Sequence, residues 1–291
     1  MKSKWSAVSL LSLTPVLLAL ATEPALAQLP MPSTLPVTAP FFPRQHPRRI
    51  VAPGTPPPVY DATRDVTVSY NTSWTGYAVT GSEFTQVQGS WTVSAVDCTT
   101  TPNTFSSEWV GIDGWTSNTV EQIGTDADCN GEKPVYYVWY EFYPLNTIVI
   151  KDVSIAPGDN FSASVVYNGS NEYTVSITND TTGENFSKEV EFTGANNSGV
   201  PLRNSAEWIE EMDGNKLADF GIDPFGEFYT GVSGGTDTAT DRSVSGPITD
   251  FGKAVQESIS TKTGEKGSKV TAAPSTLASD GGSFKVTWKS E

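Results

Sequence analysis

Short β-rich segments recur along most of this chain and are the feature that most constrains its fold. Alternating apolar and polar residues, or runs of β-branched and aromatic residues, predict strands at 66–70, 77–79, 87–96, 107–112, 119–123, 135–143, 147–153, 161–167, 173–178, 186–192, 206–211, 226–230, 269–272 and 284–288. Only residues 250–261 could form a short helix. Many strands with almost no helical periodicity predict an all-β fold, an antiparallel β-sandwich of two large sheets in a single domain.

Residues 135–144, Val-Tyr-Tyr-Val-Trp-Tyr-Glu-Phe-Tyr-Pro, form the densest aromatic run in the chain. Strand alternation places Tyr137, Trp139, Glu141 and Tyr143 on one face and the residues between them on the other. The second face is predicted to join the core. The first is an aromatic surface with one carboxylate, whose burial costs free energy unless it is hydrogen-bonded or takes part in chemistry.

The pattern of residues 1–27 predicts a secretory signal peptide. Lys2 and Lys4 precede an apolar run at 8–20, and Ala25-Leu-Ala27 matches a small-x-small cleavage site. No later stretch approaches the ~20 apolar residues that a membrane-spanning helix needs. We therefore expect a secreted, extracellular protein without a membrane partner.

Residues 28–64 differ from the rest in composition. They are rich in proline and carry a basic cluster of Arg44, His46, Arg48 and Arg49. Such a sequence does not form a core by itself. It is either a flexible linker or a removable pro-segment, and we interpret His46 as a solvated turn residue. Residues 65–291 then form the folded domain, with the boundary set to within about ten residues.

The distribution of charge along the chain favours a pro-segment over a linker for residues 28–64. Residues 1–64 hold six of the 18 basic and two of the 33 acidic residues, which leaves 12 and 31 and a domain charge near −19. A basic leader would bind this domain at neutral pH, as an inhibitor, and leave it as carboxylates become protonated. So acidic a surface argues against nucleic acid or an anionic membrane as partner. The alternative is that the charge only keeps the protein soluble.

The distribution of histidine excludes several kinds of catalytic site. His46 is the only histidine, so the domain lacks the imidazole of Ser-His-Asp, Cys-His and histidine–zinc sites. Gly231-Val-Ser-Gly-Gly235 has no strand–turn–helix context and is interpreted as a glycine-rich loop.

Asp126-Ala-Asp-Cys-Asn-Gly131 begins like a calcium loop. Tyr137 stands where such a loop requires a bidentate glutamate. We interpret the segment as a polar turn and expect neither metal nor cofactor. Cys98 and Cys129 are predicted to form one disulfide that closes a loop of about 30 residues.

Six motifs combine carboxylates, amides and aromatic side chains in one order along the chain. They are Trp74-x-Gly-Tyr-Ala78, Trp109-Val-Gly-Ile-Asp-Gly114, Glu121-Gln-Ile-Gly124, Trp139-Tyr-Glu-Phe-Tyr-Pro144, Ala206-Glu-Trp-Ile209 and Leu217-Ala-Asp-Phe-Gly221. Each alone is typical of a sandwich core. Together they resemble the glutamic peptidases, the G1 or eqolisin family. The resemblance implies a concanavalin-like sandwich and a pepstatin-insensitive acid endopeptidase, made as a proenzyme and acting on polypeptides.

By the same resemblance, Gln122 and Glu207 are the expected catalytic pair. Further residues are expected to line the cleft: Trp74, Trp109, Asp113, Trp139, Glu141 and Tyr143. A glutamate, with an ordinary pKa of about 4.3, can take a proton from water and return it to the leaving amine. A glutamine amide can stabilise the oxyanion at any acid pH. Asp113 and Glu141 would then position Gln122 and tune the charge of Glu207.

Two other functions fit an aromatic-lined sandwich. A retaining glycosidase would use Glu141 and Glu207 as its carboxylate pair and would leave Gln122 without a catalytic role. A non-catalytic glycan-binding module would stack its tryptophans on sugar rings. We expect a monomer in each case.

Overall fold

A computed structural model describes residues 44–214, 216–252, 254–260 and 270–290. The predicted signal peptide and the first part of the proline-rich leader therefore lie outside the described residues. All of these described residues belong to one compact unit. Within the described part of the chain, no helix is long and apolar enough to cross a membrane.

The described structure is almost entirely β. Strands β1 to β18 span Val59–Asp61, Val66–Asn71, Trp74–Thr80, Gln86–Thr92, Ser107–Ile112, Val120–Asn130, Lys133–Tyr143, Ile148–Ile150, Asn160–Gly169, Glu172–Asn179, Asn185–Glu191, Ser205–Glu211, Ile222–Phe225, Thr238–Thr240, Ser245–Pro247, Ala254–Ser260, Val270–Pro274 and Phe284–Trp288. A one-turn helix, α1, spans Glu227–Thr230, and a 3₁₀ turn spans Ile248–Phe251.

The strands form two large sheets. The first runs β1-β2-β16-β3-β12-β5-β6-β7-β8, and its neighbours are antiparallel apart from β2 and β16. The second runs β11-β10-β9-β4, and both β13 and β14 pair with the free edge of β4. Strands β17 and β18 connect β16 to β13. The predicted antiparallel β-sandwich is confirmed.

The core lies between the two sheets. From β7 it receives Val138, Tyr140 and Phe142, so the predicted inward face of this strand is confirmed. Two indoles also join the sheets. Trp208 donates a hydrogen bond of 2.8 Å to the main-chain oxygen of Gln88, and Trp91 of the second sheet donates one of 2.8 Å to the hydroxyl of Thr125. The other face of the first sheet is left to form the site.

Two predicted elements are wrong. Residues 226–230 contain α1 instead of a strand, because Gly226 (φ 83) and Gly231 (φ 72) turn the backbone sharply at both ends of one helical turn. Within the predicted helix at 250–261, the described residues Ala254–Ser260 form strand β16. This strand pairs with β2 on one side and β3 on the other, and pairing on both edges outweighs a weak helical periodicity.

The predicted polar turn at 126–131 is also wrong over most of its length. β6 continues to Asn130, and only Gly131 (φ 62) lies in the turn to β7. The disulfide between Cys98 and Cys129, 31 residues apart, is confirmed. It ties the end of β6 to the segment that follows β4.

Candidate active site

A row of four residues crosses the first sheet on the face opposite the core. Glu207 on β12 lies opposite Gly111 on β5, Gly111 opposite Gln122 on β6, and Gln122 opposite Glu141 on β7. Directly opposite residues share a face and lie about 5 Å apart. The row therefore brings the predicted pair, Gln122 and Glu207, to one surface with a single residue between them.

That intervening residue is a glycine for a steric reason. A Cβ atom at Gly111 would lie 2.9 Å from the ring of Trp109 and 3.2 Å from the Cβ of Gln122. Both distances are tighter than ordinary van der Waals contact. Gly111 thus keeps open the space between Gln122 and Glu207.

Glu207 is fully buried, and neither of its carboxylate oxygens has a hydrogen-bond partner among the described residues. Burial raises its pKa well above the ordinary value, and the negative charges of Asp113 and Glu257 raise it further. Because burial is the largest cause, the pKa falls when water reaches the carboxylate. A group of this kind can donate or accept a proton according to its exposure.

Residues 44–50 of the leader lie on this face, and His46 is fully buried there. The interpretation of His46 as a solvated turn residue is wrong. Its ring stacks on Trp139 with the centroids 3.6 Å apart and the planes 1° from parallel. The Nε2 atom lies 3.1 Å from oxygens of both Asp126 and Asp213, and Nδ1 lies 3.2 Å from an oxygen of Glu141.

The main chain of His46 is held as closely as its ring. The amide N–H of Gln122 donates a hydrogen bond of 2.6 Å to the carbonyl oxygen of His46. The main-chain N–H of His46 donates one of 2.9 Å to Glu141. A peptide carbonyl of the leader therefore sits on the predicted oxyanion donor.

The flanking main chain continues these contacts across the sheet. The hydroxyl of Thr147, near the start of β8, donates to the carbonyl oxygen of Arg44. At the other side of the sheet, the N–H of Thr72 donates a 3.0 Å hydrogen bond to the carbonyl oxygen of Ile50. Residues 44–50 thus run across the strands as a bound peptide would.

Two leader arginines add charge and stacking contacts. The guanidinium carbon of Arg44 lies 3.3 Å from the ring centre of Phe105. Arg49 makes a 2.9 Å ion pair with the buried carboxylate of Glu257 and lies 4.0 Å from the ring centre of Trp115. These are the charge-complementary contacts expected of a basic leader on an acidic domain.

The carboxylates around His46 fix its charge. Burial alone lowers the pKa of His46, but the negative charges of Asp213 and Asp126 outweigh burial and hold the pKa well above its ordinary value. Burial raises the pKa of Asp213 to about 6, against the lowering effect of His46. Both ring nitrogens of His46 face carboxylate oxygens, an arrangement that favours the imidazolium, in which both nitrogens donate.

The predicted cleft tryptophans meet at a carboxylate that the sequence did not single out. Trp74 and Trp109 donate their indole N–H groups to Glu211, at 3.0 and 2.9 Å. Their rings pack edge to face with the centroids 4.9 Å apart. Glu211 thus fixes the position of both rings beside the row of four residues.

Asp113 and Tyr143 lie at the ends of their strands. Asp113 follows β5 with φ 72, and its carboxylate accepts hydrogen bonds from the main-chain N–H groups of Arg203 and Asn204, at 2.8 and 3.0 Å. It anchors the segment that leads into β12 and acts on Glu207 through its charge. Tyr143 ends β7, half buried and opposite Val120.

The site also contains residues that sequence reasoning missed: His46, Asp126, Glu211, Asp213 and Glu257. The period of two that places Gln122 on this face also places Asp126 there, so this residue could have been found. Asp213 lies in the loop after β12, where no periodicity marks its direction.

Two groups of buried residues have the spacing of metal ligands. Ligand atoms lie within 4.8 Å of one another in the group of His46, Asp126 and Asp213, and in the group of Glu108, Glu210 and Asp223. In the first group, the two carboxylates offset the charge of a protonated His46. The second lies between the sheets, and burial raises the pKa of each of its three carboxyls.

A β-sandwich that holds a peptide across one sheet, with a carbonyl on a side-chain amide, belongs to the class of peptide-binding hydrolases. The chain is a member of the peptidase A4 family, whose model matches residues 72–274.

Similar proteins agree with this assignment. Aspergillopepsin-2 of Aspergillus niger is 27% identical over 225 residues, which cover 69% of this chain and 79% of the relative. Scytalidopepsin B of Scytalidium lignicola is 30% identical over 120 residues, which cover 41% of this chain and 44% of the relative. The crystal structure of scytalido-glutamic peptidase with a transition state analog inhibitor has the same fold, with a TM-score of 0.59 and 21% identity over 75% of this chain and 98% of the other.

The resemblance to eqolisins is thereby confirmed, and the chain is a glutamic endopeptidase whose substrates are polypeptides. Family membership sets aside the glycosidase and glycan-binding alternatives.

Proposed function

We propose that this chain is a secreted acid endopeptidase, made as a proenzyme, that hydrolyses peptide bonds with Glu207 and Gln122. The observation that carries the proposal is the 2.6 Å hydrogen bond from the Gln122 amide to the carbonyl oxygen of His46. A substrate carbonyl in the same place would receive the same donor. Glu207 lies in the same row of the sheet, separated from Gln122 by one glycine.

The reaction follows from these positions. The Glu207 carboxylate takes a proton from water, and the resulting hydroxide adds to the carbonyl carbon. The carbonyl oxygen becomes an oxyanion, which the Gln122 N–H stabilises. Glu207 then gives the proton to the leaving nitrogen, the C–N bond breaks, and the products are a carboxylic acid and an amine.

This pair suits acid pH. The Gln122 amide does not titrate, so its donor is present throughout the acid range. Glu207 must lose a proton to act as base, and its pKa, raised by burial, falls when substrate and water replace the leader. The pepstatin insensitivity expected from the family resemblance belongs to this proposal, because the pair contains no aspartate dyad.

Residues 44–50 act as the inhibitory part of the pro-segment. The peptide bond presented to Gln122 is the one between His46 and Pro47. Several further contacts hold the segment across the cleft, among them the ion pair between Arg49 and Glu257. The leader therefore occupies the position that a substrate needs, and activity requires its departure.

The test is cleavage of a denatured protein at about pH 3–4, near the ordinary pKa of a glutamate, with pepstatin present. The full wild-type chain is compared with Glu207→Gln and with Glu189→Gln, a control on exposed β11. We expect wild type and control to cut and Glu207→Gln to be inert. Equal cleavage by all three would overturn the assignment of Glu207.

A further inference from the structure

We infer that His46, Asp126 and Asp213 form a binding site for a divalent transition metal such as zinc, which ties the leader to the folded domain. The inference rests on the proposed function, because it adds a cation to the contacts by which residues 44–50 block the cleft. Ligand atoms of the three residues lie within 4.8 Å of one another. No metal was expected from the sequence, since the ligands come from the leader, from β6 and from the loop after β12.

The Nε2 atom of His46 faces two carboxylates at once. An oxygen of Asp126 and an oxygen of Asp213 each lie 3.1 Å from it. Nε2 carries at most one hydrogen, which forms a hydrogen bond with Asp126. Neither oxygen of Asp213, whose side chain is fully buried, has a hydrogen-bond partner among the described residues, and a buried acceptor without a donor costs free energy. A metal ion in place of that hydrogen bonds to all three residues and accounts for Asp213.

The other ring nitrogen of His46 is placed as in a metal-bound histidine. Nδ1 lies 3.2 Å from Oε2 of Glu141. The same oxygen accepts hydrogen bonds from the main-chain N–H of His46 and the hydroxyl of Thr147, at 2.9 and 2.6 Å. With Nδ1–H donating to Glu141, Nε2 presents its lone pair to the two aspartates. Histidine ligands of metals donate their second N–H to a carboxylate in this way.

The distances and charges suit a small divalent cation. Tetrahedral bonds of about 2.0–2.1 Å place ligand atoms about 3.4 Å apart, close to the two separations of 3.1 Å between Nε2 and the aspartate oxygens. One imidazolium balances one carboxylate, whereas a divalent ion balances both Asp126 and Asp213. Buried charges are tolerated when they are paired or bind a metal. The metal takes the Nε2 lone pair, and the proton of the imidazolium leaves as it binds.

The ligand atoms also select the kind of metal. Imidazole is a ligand of zinc, copper, nickel and iron, whereas calcium and magnesium prefer oxygen ligands. One histidine and two carboxylates leave the fourth tetrahedral position to water. Asp213 lines a cavity of about 420 Å³ together with Gln45 and Ser73. This cavity gives the metal and its water a route to the site.

The first measurement is a calorimetric titration of the metal-free full chain with zinc chloride at about pH 7, where free histidine is mostly neutral. We expect one site per chain. His46→Ala and Asp213→Asn should each weaken binding at least about tenfold, since even a change beside a metal ligand has an effect of this size. Gln45→Ala, which removes only exposed hydrogen bonds to main-chain oxygens, should bind zinc as wild type does, and calcium chloride should not compete.

The second measurement asks whether the metal holds the leader. An arginine-specific serine protease at pH 7 cuts at Arg44, Arg48 and Arg49 when residues 44–50 leave the cleft. A ligand at about 100 times its Kd suppresses such opening about 100-fold, so zinc should slow the cutting of wild type by this factor. The cutting of His46→Ala should be equally fast with and without zinc, which also controls for an effect of zinc on the protease.

Each outcome decides the inference. No zinc binding, or equal binding by wild type and His46→Ala, would overturn it and leave the proposed hydrolysis by Glu207 and Gln122 intact. Binding that does not slow the cutting of the leader would also overturn it, because the metal would then not hold residues 44–50. If zinc binds through His46 and slows cutting while Glu207→Gln digests protein as wild type does, the metal site is supported and the proposed catalytic assignment fails.

Discussion

The side-chain amide of Gln122 donates a hydrogen bond of 2.6 Å to the main-chain carbonyl of His46. The two residues are 76 positions apart in the sequence, one in the leader and one near the start of β6. The donor that would stabilise an oxyanion during hydrolysis holds the leader in place before hydrolysis can begin.

Replacing His46 by alanine should loosen the leader at neutral pH. The change removes the buried imidazolium and leaves Asp126, Asp213 and Glu141 without their cationic partner, a loss of several kcal/mol. We expect an added arginine-specific protease at pH 7 to cut within residues 44–50 at least about tenfold faster than in wild type. Gln45→Ala, which removes only exposed hydrogen bonds, is the matched control, and an equal rate in His46→Ala and this control would contradict the prediction.

Acidification should release the leader as the pH falls through about 6. Relative to an equally water-excluded pocket without a cation, His46 lowers the pKa of Asp213, which lies at about 6 because burial is the larger effect. A proton on Asp213 therefore favours the pocket without His46 as the pH falls below that value. The His46 ring is also in contact with the carboxylates of Asp126 and Glu141. It interacts electrostatically with Asp128 and Glu211, and Arg44 interacts electrostatically with Asp128.

The readout for release is tryptophan fluorescence between pH 7 and pH 5. The His46 ring stacks on Trp139, and contact with a protonated imidazole lowers indole fluorescence, so wild type should brighten as the pH falls and the leader departs. The same brightening in His46→Ala would contradict this prediction, since that variant has no imidazole to release.

The fold should be most stable in acid. Burial raises the pKa of Glu257 from 4.5 to about 7 and that of Glu108 to about 7. A carboxyl with a raised folded pKa contributes full stability below its unfolded pKa, and this stability is lost as the pH rises through the folded pKa. For Glu257 the loss between pH 4.5 and about 7 is about 3 kcal/mol.

Urea midpoints at pH 4 and pH 8 measure this loss. Glu210 is buried beside Asp223, and burial raises its pKa. A substitution at Glu210 therefore tests whether the carboxyl cluster between the sheets contributes to this loss of stability. Glu210→Gln should narrow the gap between the two midpoints, whereas Glu189→Gln on exposed β11 should leave it unchanged. A midpoint that rises from pH 4 to pH 8 would contradict the sign of the effect.

Gly111→Ala should damage catalysis through Gln122. The added methyl would lie 3.2 Å from the Cβ of Gln122 and 2.9 Å from the Trp109 ring, so the amide must shift. A misplacement of about 1 Å can cost about 10²-fold in rate. We expect kcat to fall by this order with a stability loss of only about 1–3 kcal/mol. An unchanged kcat in the folded variant would show that the space over Gly111 is not needed.

The sequence predicted the sandwich and the outward face of β7 because both depend on local periodicity. The alternation from Tyr137 to Tyr143 is enough to separate Trp139 and Glu141 from the core residues of the same strand. The proposed catalytic pair, Gln122 and Glu207, was predicted from the family motifs, and strand register places both residues opposite Gly111 on one face.

The burial of His46 could not be predicted in this way. A proline-rich segment judged by its own composition has no core, and the carboxylates that bury this histidine come from β6, β7 and the loop after β12. Those partners become neighbours only when the first sheet is assembled. Asp113 was expected to line the cleft with Trp109, but the backbone turns at φ 72 after Ile112, and no periodicity encodes that turn.

The most direct test of the central claim is the steady-state kinetics of Gln122→Ala on a peptide substrate at acid pH, with circular dichroism to verify folding. If the amide stabilises the oxyanion, kcat should fall by about 10²–10³-fold, the effect of removing one such donor, with little change in KM. A kcat equal to that of wild type, or a loss confined to KM, would contradict the account, because Gln122 would then only bind the substrate.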